Sequence, residues 1–80
     1  MSWVTRAERR RSANVDAFMD SWVSWRESCQ DVHDAYRSWT ESARPRRALA
    51  FAGYRAALDR EQHAARIYSD SAERIRAFAP

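Results

Sequence analysis

Apolar side chains spaced alternately three and four residues apart run through the first half of this 80-residue chain. The members of this row are Val15, Phe18, Trp22, Trp25, Cys29, Val32, Tyr36 and Trp39. The spacing places them all on one face of an α-helix and is typical of helices that pack lengthwise against a neighbour. We therefore expect a first helix over about residues 12–40, with Ser12 or Asn14 as its N-cap.

A second row with the same spacing follows Pro45. Its members are Phe51, Tyr54, Leu58, Glu61, Ala65, Tyr68, Ala72 and Ile75, and Ala57, Ala64, Ile67 and Phe78 flank them. Proline disfavours helical geometry in the residue before it but suits the first turn of a helix. We therefore expect a short connection at residues 41–44, Ser42 as a candidate cap, and a second helix over about residues 45–78.

These two helices define the expected fold. Helices joined by a short connection are antiparallel neighbours, so the sequence predicts one all-α domain over residues 1–80, built on an antiparallel hairpin. The second row is smaller in volume than the first, and we expect the bulky side chains of the first helix to lie over the alanines of the second.

The segment before the first helix is basic, with arginines at positions 6, 9, 10 and 11. Thr5 precedes Glu8 by three residues, which is the spacing of a capping box. Residues 1–11 therefore have three interpretations, namely a basic N-terminal arm, a short helix, or the beginning of the first long helix.

Charge differs between the two helical segments. Residues 12–42 carry two arginines and six acids, a net −4, whereas residues 43–80 carry eight arginines and four acids, a net +4. We expect much of the basic charge to face acidic residues within the fold. Surface ion pairs contribute only about 0–1 kcal/mol each, so these charges bias the choice of neighbouring helix rather than hold the hairpin together.

The aromatic row is broad for a single hairpin. Each aromatic side chain can bury about 150–250 Å², and one alanine-rich helix cannot cover such a stripe on both sides. We expect two hairpins to pair into a four-helix bundle, as a homodimer, or another helical protein to supply the cover. This favours a non-enzymatic interaction or structural module.

Two polar residues fall within the apolar rows. Glu61 interrupts the second row, and if buried it needs an arginine, a tyrosine hydroxyl or an indole N–H as partner. A buried Glu61 would set the register of assembly, whereas a different rotation of the helix would leave it at the rim.

Cys29 is interpreted as a buried structural thiol, since no basic neighbour activates it. Near a symmetry axis it could form a disulfide bridge between two subunits.

Catalytic and metal chemistry have little support. Asp59 and His63 are four residues apart on one helix face, but such a pair is typical of a surface helix. Glu61 and His63 are two residues apart, whereas carboxylate-bridged metal bundles use a spacing of three. The remaining candidates, Glu27, Asp31, His33 and Asp34, spread over a polar face. We expect no enzyme activity, metal or cofactor.

The arginine clusters provide the alternative function. Clustered arginines can bind phosphate backbones, and the candidate anion contacts are Arg9, Arg10, Arg11, Arg44, Arg46 and Arg47. They lie at opposite ends of an antiparallel hairpin, which makes nucleic-acid binding the weaker hypothesis.

No apolar run reaches the roughly 20 residues of a membrane span. The single cysteine and the absence of an export signal predict a cytoplasmic protein.

The layout resembles a family of secreted helical hairpins that carries Trp-x-Gly at the bend. This chain has Trp39-Thr40-Glu41 there, and its Tyr54 is followed four positions later by Leu58, not by an acid, so it is not assigned to that family. Residues 35–39 (Ala-Tyr-Arg-Ser-Trp) and 51–61 (Phe-Ala-Gly-Tyr-Arg-Ala-Ala-Leu-Asp-Arg-Glu) resemble small uncharacterised proteins of actinobacteria. That resemblance covers about half of the chain and implies source and fold rather than activity.

Overall fold

The computed structural model describes residues 3–77, which form two helices and a two-residue connection. Helix α1 spans Arg6–Glu41 and helix α2 spans Arg44–Ala77. Trp25, in the middle of α1, stacks on Tyr68, and Trp39, near its end, stacks on Tyr54. The helices are therefore antiparallel, and the predicted all-α hairpin is confirmed. Phe78, which was predicted to flank the second apolar row, lies outside the described residues.

The first helix begins six residues earlier than predicted. The hydroxyl Oγ1 of Thr5 accepts a hydrogen bond from the backbone N–H of Glu8 at 3.1 Å, which satisfies one of the free donors at the helix start. Ser12 and Asn14 lie inside α1, so the prediction that one of them is the N-cap is wrong. Of the three interpretations of the basic segment, the structure shows the last, because Arg6–Arg11 are the first turns of the long helix.

The bend consists of Ser42 and Ala43. Ser42 is the C-cap of α1, and its backbone N–H donates to the carbonyl of Trp39 at 3.2 Å. The Arg46 N–H donates to the carbonyl of Ala43 at 3.0 Å, so Ala43 directly precedes α2 and accepts a hydrogen bond from its first turn. Ser42 was predicted as a candidate cap at this bend, and in the structure it caps the C-terminal end of the first helix. Pro45 lies in the first turn of α2, as expected from its fixed backbone dihedral.

The two helices meet along a seam in which small and large residues alternate. The small residues recur every seven positions, at Ser21, Ser28, Ala35 and Ser42 in α1 and at Ala50, Ala57, Ala64 and Ser71 in α2. The large residues lie between them, at Phe18, Trp25, Val32 and Trp39 in α1 and at Tyr54, Glu61, Tyr68 and Ile75 in α2. Small residues allow close approach of the two backbones, and the large ones fill the space between them.

This seam encloses very little apolar material. Among residues 3–77, Ala57 is the only buried apolar side chain, with 1% of its surface exposed, and the other buried residues are Ser21, Ser28 and Ser71. The molecule measures 63 × 25 × 13 Å, so its thinnest dimension is close to the diameter of one helix, about 10–12 Å. Domains normally bury a core between two packed layers, and this hairpin forms a single layer.

The described helices are also too polar to span a lipid bilayer. Within residues 3–77, neither contains an apolar stretch of the necessary length.

Candidate interaction surface

One aromatic cluster lies in the half of the hairpin away from the bend. Tyr68 stacks on Trp25 at 5.3 Å between ring centroids, with the rings 1° from parallel, and Phe18 contacts the same tyrosine at 5.3 Å. Offset ring pairs contribute about 0.5–1.5 kcal/mol each beyond the area they bury. This cluster therefore fixes the register of α1 on α2.

Glu61 is held by the same cluster. Its carboxylate accepts a hydrogen bond from the indole Nε1–H of Trp25 at 2.9 Å, and Glu61 is half-buried. Of the partners considered for Glu61, the structure selects the indole. The carboxylate thus has a cross-helix donor, which it needs at a partly desolvated position. Its role in setting the register of an assembly remains a prediction.

A second aromatic cluster closes the end near the bend. Trp39 contacts Tyr54 at 5.4 Å and Phe51 at 5.0 Å, and Tyr36 meets Tyr54 edge-on at 5.6 Å. Trp39 and Tyr54 belong to the seam. Tyr36 and Phe51 contact them from one side and keep an outward surface of their own.

That outward surface continues along both helices as an apolar flank. In α1 it comprises Val15, Trp22, Cys29 and Tyr36, and in α2 it comprises Phe51, Leu58, Ala65 and Ala72. Each of these except Val15 follows a small seam residue by one position, and Val15 precedes Trp22 by seven residues. In an antiparallel pair, equivalent positions of the two helices lie on the same side of the seam. Val15, Trp22, Tyr36 and Phe51 remain between 38% and 48% exposed.

The predicted first row is therefore two rows in the structure. Phe18, Trp25, Val32 and Trp39 pack towards α2, whereas Val15, Trp22 and Tyr36 lie beside the seam and remain 38–48% exposed. The whole row was predicted as core or interface, with no division between the two. In α2, Tyr54, Tyr68 and Ile75 lie in the seam, while Phe51 and Leu58 lie on the flank. The flank residues stay available as an interface, the second role predicted for this row.

The serines of the seam were missed by the sequence reasoning. The hydroxyl of Ser21 donates to the carbonyl of Phe18 at 2.8 Å, and the hydroxyl of Ser28 donates to the carbonyl of Trp25 at 2.7 Å. Because each hydroxyl bonds within its own helix, burial costs little. The available signal was a small residue every seventh position, which a search for apolar residues alone does not detect.

A shallow groove of about 470 Å³ lies on the opposite side of the seam. Asp20 and Ser24 of α1 and His63, Ile67 and Arg74 of α2 are among its lining residues. Arg74 is directed back to its own helix, where Nη2 donates to the Ser71 hydroxyl at 3.2 Å. The side chains that line the groove are a mixture of charged, apolar and small residues, and they do not form a group typical of a catalytic or binding site.

The expected pairing of acidic and basic residues across the helices is not found. Within residues 3–77, the one ion pair joins Arg76 and Glu73 at 3.0 Å, and both belong to α2. The positions beside the seam are mostly apolar or small, so most charged side chains lie on the outer surfaces of the helices. The negative charge of residues 12–42 and the positive charge of residues 43–80 are therefore not joined by ion pairs between the described helices.

The two arginine clusters lie at opposite ends of the hairpin. All six predicted anion contacts are exposed, three in the first turns of α1 and three at the beginning of α2. With 36 residues in α1 and a rise of 1.5 Å per residue, these ends are about 50 Å apart. The clusters do not form one continuous basic surface.

The other candidate residues for chemistry are dispersed. Asp59 and His63 are exposed, as are Glu27, Asp31, His33 and Asp34. Within the part of the chain that the structure describes, no three His, Cys, Asp or Glu side chains come together as a metal site would need. Cys29 is half-buried rather than enclosed, because it belongs to the apolar flank. This leaves the apolar flank as the most distinctive surface of the molecule.

Comparison with known proteins found no match for this chain among protein-family models, curated proteins or solved structures.

Proposed function

We propose that this chain is a non-enzymatic interaction module that self-associates through its apolar flank, two hairpins forming a four-helix bundle. The observation that carries the proposal is the regular exposure of large apolar side chains at seven-residue intervals on α1. Exposed apolar side chains scattered singly are normal, whereas a contiguous row marks an interaction surface.

The total surface of the hairpin supports association. A compact monomer of this mass exposes about 5,000 Å², whereas this chain exposes 6616 Å². The excess of about 1,600 Å² per chain is about twice the roughly 800 Å² that each partner contributes to a standard protein interface. A second layer of helices over the apolar flank would also supply the missing half of a two-layer domain.

The test is sedimentation equilibrium over a range of micromolar concentrations. We expect a particle of twice the chain mass of 9.4 kDa. Trp22→Glu should shift the protein to smaller species, because it places a charge in the flank. The matched control is Val23→Glu, since Val23 is 45% exposed and points away from both seam and flank. A folded 9.4 kDa monomer, with indoles already shielded from a soluble quencher, overturns the proposal.

A DNA-binding measurement on the same proteins distinguishes the proposed self-association from the nucleic-acid hypothesis. Binding of the wild-type chain to a DNA duplex, with affinity that falls steeply as salt rises and is unchanged by Trp22→Glu, would assign the function to the arginines. That outcome, together with a monomeric wild type, would replace the proposed function.

A further inference from the structure

We propose that the apolar flank recognises a second copy of this chain in one specific orientation, with α1 of each copy lying over α2 of the other. In this arrangement Trp22 of each copy occupies a depression at Ala65 and Ala72 of the other. The inference rests on the proposed function and specifies which surfaces meet.

The shape of the flank is the first argument. Along α1 the flank residues are bulky, with Val15 and Trp22 in the half away from the bend. Along α2 they decrease from Phe51 and Leu58 near the bend to two alanines. The flank therefore has a ridge on α1 beside a depression on α2.

The register places the ridge and the depression at the same height. Trp25 stacks on Tyr68 and donates its indole N–H to Glu61, so residue 25 is level with the region between those two. Because the helices are antiparallel, Trp22, one turn earlier on α1, is level with the part of α2 one turn later, between Ala65 and Ala72. A two-fold axis parallel to the helices preserves this height and brings each Trp22 over the depression between Ala65 and Ala72 of the other copy.

The alternative symmetry gives a poorer fit. A two-fold axis in the interface but perpendicular to the helices places α1 over α1, so that one ridge opposes the other. The depressions on α2 then face each other and leave a void, and voids of this kind are costly in a packed interface. In the half away from the bend, the parallel axis sets Trp22 against Ala65 and Ala72 on both sides of the dimer. Near the bend it sets Tyr36 against Phe51 and Leu58.

Charge favours the same orientation. Residues 12–42 carry −4 and residues 43–80 carry +4, and no ion pair between α1 and α2 occurs within residues 3–77 of one hairpin. For the part of α1 from residue 12 onward, stacking over α2 opposes unlike charges, whereas stacking like helices opposes two acidic or two basic segments. The basic first turns of α1, residues 6–11, carry +3 and do not contribute to this argument. Such complementarity selects the partner and its orientation more than it adds affinity.

A large-for-small exchange between two variants tests the orientation. Ala65→Trp fills the depression, and Trp22→Ala removes the ridge. Each variant alone should dimerise about thirtyfold more weakly or worse, as expected when a buried aromatic anchor is lost or obstructed. In a mixture, each tryptophan finds an alanine on the other chain, so a heterodimer should form preferentially. Native mass spectrometry resolves the three species, because the two chains differ in mass.

The matched control is Ala52→Trp, which adds the same side chain on the exposed outer surface of α2 and should leave dimerisation unchanged. Circular dichroism checks that each variant is helical, and Ala65→Leu replaces Ala65→Trp if the latter fails to fold. A monomeric wild type rejects the proposed function itself. A dimeric wild type with Ala65→Trp equally dimeric and no preferred heterodimer rejects only this orientation.

Discussion

Ala57→Leu tests whether the small residues determine where the two helices meet. Ala57 is 1% exposed and lies in the seam between Tyr54 and Glu61. Leucine adds three carbon atoms at this contact. The helix propensity of leucine is close to that of alanine, so any large effect arises from packing rather than from the helix itself.

The expected magnitude follows from overpacking. Insertion of extra methylene groups into a well-packed contact costs about 1–3 kcal/mol, and in a chain of this size each kcal/mol lowers the melting temperature by about 4–8 °C. We therefore expect the melting temperature to fall by roughly 4–24 °C. The upper part of that range applies if the helices must separate along the seam.

The measurement is thermal unfolding by circular dichroism at one fixed protein concentration, because association makes the melting temperature depend on concentration. The control is Ala56→Leu, which makes the same change at the exposed neighbouring position and should alter stability by less than about 0.5 kcal/mol. Equal melting temperatures for the two variants would show that Ala57 is not at the helix contact, and the seam would then be wrongly placed.

Four further substitutions address single contacts. Trp25→Phe removes the indole donor from Glu61 and should lower the free energy of unfolding in urea by about 1–3 kcal/mol. Glu61→Gln keeps an acceptor for the indole and should lower it by less. Equal losses of stability in the two variants would show that the hydrogen bond is unimportant. Glu61→Leu should preserve helicity but broaden the assembly states seen by native mass spectrometry, and a single unchanged state would reject its register role. Thr5→Ala removes an N-cap worth about 1 kcal/mol and should speed hydrogen exchange at the amides of Glu8 and Arg9, while unchanged exchange would show that the cap is dispensable.

The hairpin itself could be predicted from sequence because its signals are local. Alternation of three and four along the chain indicates a helix whatever that helix contacts, and Pro45 marks the beginning of the next one. An indole N–H was one of three partners expected for a buried Glu61, since a carboxylate within an apolar row needs a donor. Each of these inferences needs only neighbouring residues or one obligatory partner.

The rotation of α1 about its axis could not be predicted from the apolar residues alone. Its row can be divided so that either Phe18 and Trp25 or Val15 and Trp22 face the second helix. The structure chooses the first set because Ser21 and Ser28 lie beside it and allow close approach, and their hydroxyls bond within the helix. Serine reads as polar in a hydrophobicity pattern, so its steric role is visible only once the packing is known.

The predicted start of the first helix, near residue 12, was too late, and the beginning of the long helix was only one of three interpretations of residues 1–11. Residues 6–11 contain four arginines and one glutamate, and four cations in the first turns oppose the helix dipole. The Thr5 cap and continuity with a long packed helix outweigh that cost. Helix propensity is a weak predictor where tertiary contacts nearby decide the outcome.

The arrangement of α1 argues that one hairpin does not complete the structure. A helix that packs against one neighbour needs one row of large apolar side chains at seven-residue intervals. This helix has two such rows, one of them packed on α2 and the other, with Val15, Trp22 and Tyr36, still 38–48% exposed. Two rows set about 40° apart around a helix are the pattern of one that contacts two neighbours, as each helix of a four-helix bundle does. Within residues 3–77 the helix that lies against α1 is α2, and the proposed bundle would give the second row a helix to pack against.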